Sequence, residues 1–138
     1  MYKITVTTHN RVEFRDITSD IQKLVERKKI RDGICVIYLP HTTAGLVINE
    51  NYDPAVNKDI ARWLQQNIPS SGDYFHLEGN ADAHIKSSIV GNNLVVIVES
   101  GRIVLGRWQG IFLAEFDGPR RREVWVKFLL QKGGENNG

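Results

Sequence analysis

The stretch richest in reactive side chains runs from residue 76 to residue 88 and reads HLEGNADAHIKSS. It carries two imidazoles, His76 and His84, and each lies two residues from a carboxylate, Glu78 or Asp82. An imidazole beside a carboxylate can fix a tautomer, act as a general base, or ligate a metal with its partner. The stretch is too polar for a core segment, so we interpret it as a candidate site.

The same stretch predicts how these groups are positioned. Asn80 is a favourable N-cap, because its side-chain oxygen can accept from the free N–H groups of a first helical turn. Asp82 would then complement the positive end of the helix dipole. His84 would share a face with Ser87 and Ser88, three and four residues later. The alternative interpretation is that these are capping, solvated or core residues without a common function.

Composition sets the class of protein. The chain has 138 residues, 41% hydrophobic and 25% charged, and a formal net charge of +2. These values are those of an average globular protein, and we predict one domain spanning residues 1–138. A charge this small gives no reason to expect nucleic acid as a partner.

Targeting and redox signals are weak. The longest apolar run, residues 94–98, is far too short to span a membrane, and the first residues form a strand pattern, not a signal peptide. We therefore expect no membrane association and a cytoplasmic protein. The single cysteine, Cys35, lies in an apolar run and is predicted to be a buried, inert thiol.

Alternating and continuous apolar runs predict about eight strands. Residues 2–6 and 12–14 alternate, and His9 lies in a presumed hairpin turn between them. Residues 34–39 and 94–98 are apolar at both parities, which indicates strands covered on both faces. Val124, Val126, Phe128 and Leu130 are expected to point inward from the last strand, and residues 131–138 form a tail. The other predicted strands are residues 46–50, 102–105 and 111–116.

Helical periodicity predicts elements outside these strands. Ile21, Leu24 and Val25 follow Thr18 or Ser19, either of which could cap a helix. Asp53-Pro54 opens a second helix as N-cap and first residue, and Trp63 is expected in its packing face. The third helix is the one after Asn80. We predict an α+β fold: a β-rich sandwich or barrel-like pair of antiparallel sheets with about three helices outside.

No standard catalytic signature is present, but three blocks of sequence resemble those of the YjbQ-like proteins. The blocks read HTTAGLVINENYDP, HLEGNADAHIKSS and GRWQGIFLAEFDGPRRR, and they agree with the family in order and spacing over nearly the whole chain. The resemblance implies a compact sandwich-like α+β fold, a homotrimer, and activity as a secondary thiamine-phosphate synthase. The matching motif residues are His41, Asn49, Glu50, Asp53, His76, Glu78, His84, Lys86, Ser87, Trp108 and Gln109.

The implied reaction joins a pyrimidine-methyl pyrophosphate to a thiazole phosphate and releases pyrophosphate. Such a site needs Mg²⁺ or basic groups at the leaving oxygens, so the resemblance predicts a small phosphorylated substrate. We predict these residues as catalytic: His41, His76, His84, Lys86 and Glu50. The predicted substrate-binding residues are Thr42, Asn49, Asn80, Ser87, Trp108, Gln109 and Arg120. The predicted metal ligands are His41, His76, His84, Glu78 and Asp82.

Two other functions fit the same residues. Three histidines from separate loops would suit zinc with one open position, as in a hydrolase or lyase of unknown substrate. Alternatively, the polar residues could bind a small anion in a non-enzymatic trimer. The predicted cofactor is accordingly a divalent metal, either Mg²⁺ or Zn²⁺.

Overall fold

A computed structural model describes residues 1–132 of the chain, and within them lie eight strands and three helices. Part of the predicted tail, residues 133–138, therefore falls outside the described residues. In chain order the elements are β1 (Tyr2–Thr7), β2 (Glu13–Asp16), α1 (Thr18–Arg27), β3 (Gly33–Tyr38), β4 (Ala44–Glu50), α2 (Pro54–Asn67), α3 (Ala81–Val90), β5 (Asn93–Glu99), β6 (Arg102–Val104), β7 (Gln109–Glu115) and β8 (Arg121–Leu130).

The strands form two antiparallel sheets, as predicted. The larger sheet has the order β1-β8-β3-β5-β6, and the smaller has the order β2-β7-β4. The main core contains inward side chains of both sheets, such as Ile37, Val126, Leu46 and Leu113, together with the apolar stripe of α1. This arrangement confirms the predicted α+β class of antiparallel sheets with three helices.

Helices α2 and α3 belong to a second, smaller core. Leu64 of α2 and Ala83 of α3 pack with Ala114, which lies in β7, and with Phe116, which comes directly after that strand. The small side chain of Ala83 is fully buried, so α3 lies close against the sheet. The segment that carries His84 is therefore held on a rigid support.

The outer face of the larger sheet corrects one prediction. Strands β3 and β5 were expected to be covered on both faces, but Val95 is 60% exposed and Ile97 is 53% exposed. Tyr38 on the same face stacks on Trp125 at 5.9 Å between ring centroids. The outward-facing apolar side chains of these strands thus form an open apolar surface, which no element within residues 1–132 covers. The exposed apolar side chains of this face are Ile34, Tyr38, Val95, Ile97, Val104 and Leu129.

Three local predictions were wrong. β1 and β2 lie in different sheets, so the segment around His9 is a crossing between sheets and not a hairpin. Trp63 is 59% exposed, because its neighbour Leu64 occupies the buried position of α2. Helix α1 has Ile17 at its N-cap position, and the carboxylate of Asp16 accepts the first N–H instead.

Two predictions, the start of the second helix and the burial of the cysteine, are confirmed. Asp53 caps α2 by accepting from the N–H of Ala55, and Pro54 is the first helical residue. Cys35 is buried, and burial raises the pKa of its thiol to about 12. Within residues 1–132, none of the helices combines the length and the apolarity that a membrane crossing requires.

Candidate functional site

The first residues of β4 are held against the C-terminal half of α3. Ser87 donates to the carbonyl of Ala44 at 2.6 Å, and the Leu46 N–H donates to the carbonyl of Gly91 at 3.0 Å. A Cβ on Gly45 would lie 2.7 Å from a methyl of Val90, so only glycine permits this approach. This close contact explains why the HTTAGLVINENYDP block has a glycine at position 45.

Between the loop before β4 and helix α3 lies a cavity of about 490 Å³, which we call the donor cavity. No acidic residue lines it. Among the contacts of residues 1–132, the ring of His84, the hydroxyl of Thr42 and the amide nitrogen of Asn92 make no hydrogen bond, so their donors are available. The lining residues are His41, Thr42, His84, Ser87, Ser88, Gly91 and Asn92.

His41 has a defined protonation state. The backbone N–H of Glu123 donates to Nε2 of His41 at 3.0 Å, so this nitrogen carries a lone pair and the ring proton is on Nδ1. Burial, aided by the nearby positive charge of Arg122, lowers the pKa of His41 below its ordinary value. His41 is therefore a neutral imidazole at pH 7 whose Nδ1–H is free to donate.

A second cavity, of about 360 Å³, adjoins the first at His84, and we call it the apolar cavity. His76 and His84 meet there edge to face, with ring centroids 5.1 Å apart. The structure thus brings two predicted site histidines together, and His84 lines both cavities. The remaining lining residues are Asp73, Tyr74, Phe75, Ala81 and Ile85.

Asn80 takes the N-cap position of α3 but does not cap the helix with its side chain. Its amide oxygen lies 2.9 Å from Nε2 of His76, and its amide nitrogen donates to Asp117 at 2.9 Å. Asp117 also pairs with Arg120 at 2.9 Å. The predicted capping bond is therefore replaced by a network that connects Asn80 to His76, and both Asn80 and Arg120 are engaged within it. Glu78, a predicted metal ligand, lies 3.7 Å from the same nitrogen of His76.

Asp82 and Lys86 form a buried ion pair, at 2.8 Å, with 0% and 1% of their side chains exposed. Arg11 adds a second cation to the same carboxylate at 2.9 Å. Burial acts to raise the pKa of Asp82, but the hydrogen bonds and charges of Arg11 and Lys86 outweigh it and hold this pKa below the usual range. Lys86 does not line either cavity, and Asp82 has both oxygens occupied, so the structure separates both from the predicted site.

A second buried ion pair, Arg122 with Glu115, contacts the loop that lines the donor cavity. Arg122 also donates to the hydroxyl of Thr43 at 2.9 Å and to its carbonyl, which fixes the loop that carries His41. Burial acts to raise the pKa of Glu115, but Arg122 and the other donors hold it below its usual range. Sequence analysis missed this role of Arg122. The signal for it was the position of Arg122 two residues before Val124, on the inward side of the last strand.

The remaining predicted site residues lie at the other end of the small sheet. Strand β4 pairs with β7 so that Ala44 opposes Glu115, and Glu50 opposes Gln109. At about 3.3 Å per residue, the six steps from Ala44 to Glu50 span about 20 Å. Asn49, Glu50, Trp108 and Gln109 are therefore not brought together with the histidines in this chain.

The donor set does not fit the predicted metal. Within residues 1–132, no three histidine, cysteine or carboxylate side chains are arranged to hold one ion. Asp82 is neutralised by two cations, and Mg²⁺ prefers carboxylate and other oxygen ligands. A divalent metal thus remains a prediction from the sequence, and no chemical step is assigned to one.

Comparison with known proteins identifies relatives over nearly the whole chain. A family model described as UPF0047 protein YjbQ-like matches residues 2–131. The UPF0047 protein MJ1081 of Methanocaldococcus jannaschii is 52% identical over 132 residues, which cover 96% of each chain. A crystal structure of a YjbQ/UPF0047 family protein from Clostridium acetobutylicum matches with a TM-score of 0.90 at 46% identity, covering 94% of this chain and 100% of that one. A YbjQ-like protein from Sulfolobus solfataricus matches with a TM-score of 0.89 at 35% identity, covering 94% and 96%.

These comparisons overturn the predicted thiamine-phosphate synthase activity. The Clostridium protein is described as an uncharacterized conserved protein, and the Sulfolobus protein as one of unknown function. The archaeal relative carries only its family designation. The relatives therefore lend no support to the synthase reaction, and the buried position of Lys86 removes the cation that was expected to assist it.

Proposed function

The chain belongs to the UPF0047 YjbQ-like family, and from this premise and the site geometry we propose that it binds a small molecule carrying a phosphate or similar oxyanion. The observation that carries the proposal is the donor cavity: four side chains with available N–H or O–H donors line it and no carboxylate does. Oxyanions are recognised by such convergent donors. The lining donors are His41, Thr42, His84 and Asn92.

The adjoining apolar cavity suggests the rest of the molecule. Tyr74, Phe75 and Ile85 line it, and Phe75 is fully exposed. An aromatic or aliphatic body could therefore occupy this side of His84 while the oxyanion occupies the other. His84 would then lie beside the middle of the bound molecule, where an imidazole can exchange a proton at neutral pH. The proposal is therefore an acid–base site for an amphipathic, phosphorylated small molecule.

The assembly belongs to the same proposal. The open face of the larger sheet presents six exposed apolar side chains in one patch, which is typical of a surface covered by another protein. We propose that copies of this chain cover it, as the homotrimer expected from the family resemblance. The cytoplasmic location also remains a proposal, based on the sequence alone.

Titration with inorganic phosphate tests the binding proposal. With ¹⁵N-histidine-labelled protein, phosphate should shift the ring signals of His41 and His84 in a saturable way and leave those of His9, which is exposed and lines neither cavity, in place. His84→Ala should weaken the affinity by about tenfold, equivalent to about 1.4 kcal/mol, while His9→Ala should not change it. Saturable binding that is unaffected by both His84→Ala and His41→Ala would refute this site.

A further inference from the structure

A chain of hydrogen bonds runs from Arg120 to His76 and ends at one ring nitrogen. Arg120 donates to the Asp117 carboxylate, the Asn80 amide nitrogen donates to the same carboxylate oxygen, and the Asn80 amide oxygen faces Nε2 of His76. Each of these three contacts is 2.9 Å long. We call this chain of groups the Asn80 relay.

The relay fixes the orientation of the amide. A carboxylate only accepts hydrogen bonds at neutral pH, so the group of Asn80 that faces Asp117 must be its NH₂. The other end of the amide, which faces His76, is then the carbonyl oxygen. The orientation of this amide follows from chemistry and does not depend on distinguishing oxygen from nitrogen in the coordinates.

The oriented amide in turn selects the tautomer of His76. An amide oxygen can only accept, so Nε2 of His76 must carry a hydrogen. The Glu78 carboxylate, 3.7 Å from the same nitrogen, favours the same tautomer. In the neutral ring Nδ1 then keeps its lone pair, and it makes no hydrogen bond to any residue of the described part of the chain.

We infer that Asn80 and Asp117 are positioning residues that make His76 a base at Nδ1. The inference rests on the proposed acid–base role of the site and adds His76, which is in ring contact with His84, as a base. His41 is the complement, because its Nε2 accepts from Glu123, so that its Nδ1 carries the hydrogen. The site thus pairs a histidine that offers a hydrogen with one that offers a lone pair, on either side of His84. When Nδ1 of His76 takes a proton from a bound molecule, the ring becomes an imidazolium cation. Asn80 and Glu78 stabilise this cation at its Nε2–H.

The tautomer can be measured without any substrate. In ¹⁵N-histidine-labelled protein at about pH 7.5, where imidazoles are mostly neutral, two-bond correlations identify the protonated nitrogen, and loss of signals in His76→Ala assigns the ring. We expect His76 to be protonated at Nε2, with a proton that exchanges slowly with water. In Asn80→Ala this exchange should accelerate by about tenfold, the effect of losing a hydrogen bond worth about 1.4 kcal/mol.

A reversed relay separates positioning from folding. In the double variant Asn80→Asp with Asp117→Asn, the new amide at position 117 can donate to the new carboxylate at position 80, which still accepts from His76. This variant should keep the slow exchange that Asn80→Ala loses. An Nδ1-protonated His76 in the parent, or slow exchange that survives in Asn80→Ala, would overturn the inference whether or not phosphate binds.

Discussion

His41 shows how one side chain can be read for its chemistry before any ligand is known. Its Nε2 is occupied by a backbone N–H, and burial lowers its pKa, so the ring is a neutral donor. A neutral N–H group stabilises an oxyanion by hydrogen bonding, without fully neutralising its charge. His41 and Lys86 each give a testable prediction at this scale.

The first prediction concerns pH. The pKa of His41 in the folded chain lies below the unfolded value of about 6.5, so the unfolded chain binds this proton more readily. The contribution of His41 to the free energy of unfolding is therefore complete above about pH 6.5, and it is lost as the pH falls from about 6.5 towards the lower pKa of the folded chain. Urea unfolding between about pH 7.5 and about pH 5 should show this loss in the parent and not in His41→Asn.

The two buried carboxylates lose their contributions outside the pH range of this test. The pKa values of Asp82 and Glu115 are held below their usual range, so their contributions are lost only below about pH 4. His9→Asn, a change in an exposed segment, should retain the parent slope. An equal slope in His41→Asn and the parent would show that His41 is not held neutral by the fold.

The second prediction concerns Lys86, which was expected to serve as an accessible cation. Because it is 1% exposed and paired with Asp82, its removal leaves a carboxylate in the interior with Arg11 alone. Lys86→Ala should lower the free energy of unfolding by about 3–5 kcal/mol, measured by urea denaturation. Lys23→Ala, on the exposed face of α1, should change it by less than about 0.5 kcal/mol. A small effect at Lys86 would mean that the pair is not buried in solution.

At the scale of elements, the sequence predicted which segments are strands and helices better than it predicted their surroundings. Apolar periodicity identified two helices and the strands, and the capping residue Asn80 indicated where the third helix begins. It could not distinguish a strand that is covered on both faces from one whose second face is open, as in β5. Nor could it show that Asn80 would bond to Asp117, 37 residues away, instead of capping its helix.

The fold places the predicted site residues in different surroundings. His41, His76 and His84 were identified from their types and neighbours, and the fold brings the last two into contact. Asp82 and Lys86 share those neighbours, but α3 turns them to its buried side. Helical spacing places residues on a face, whereas which face is buried depends on packing against distant strands.

The open sheet face leads to a third prediction. Ile97→Lys should convert the proposed trimer into a monomer in sedimentation equilibrium, because a charge in the centre of an apolar interface would be desolvated without a partner. Trp63→Lys also replaces an exposed apolar residue, on α2, and should leave the assembly intact. A parent chain that sediments as a monomer at micromolar concentration would contradict the proposed assembly.

At the scale of the whole molecule, the fold separates two kinds of surface. The large sheet presents an apolar face, while the small sheet carries α3 and, with it, both cavities of the candidate site. The two buried ion pairs, Asp82 with Lys86 and Glu115 with Arg122, lie beneath that site and hold the helix and the loop against the sheet. The residues of the open face and those that line the two cavities are different, so assembly and binding are proposed for separate surfaces.

The central claim is that the donor cavity holds an oxyanion, and a crystal structure of the protein grown with inorganic phosphate tests it most directly. The account predicts phosphate density in the donor cavity, with an oxygen within about 3 Å of Nδ1 of His41 and another near the amide nitrogen of Asn92. The same crystals of His84→Ala should show weaker density there. Phosphate bound elsewhere on the molecule, with the donor cavity holding only water, would contradict the account.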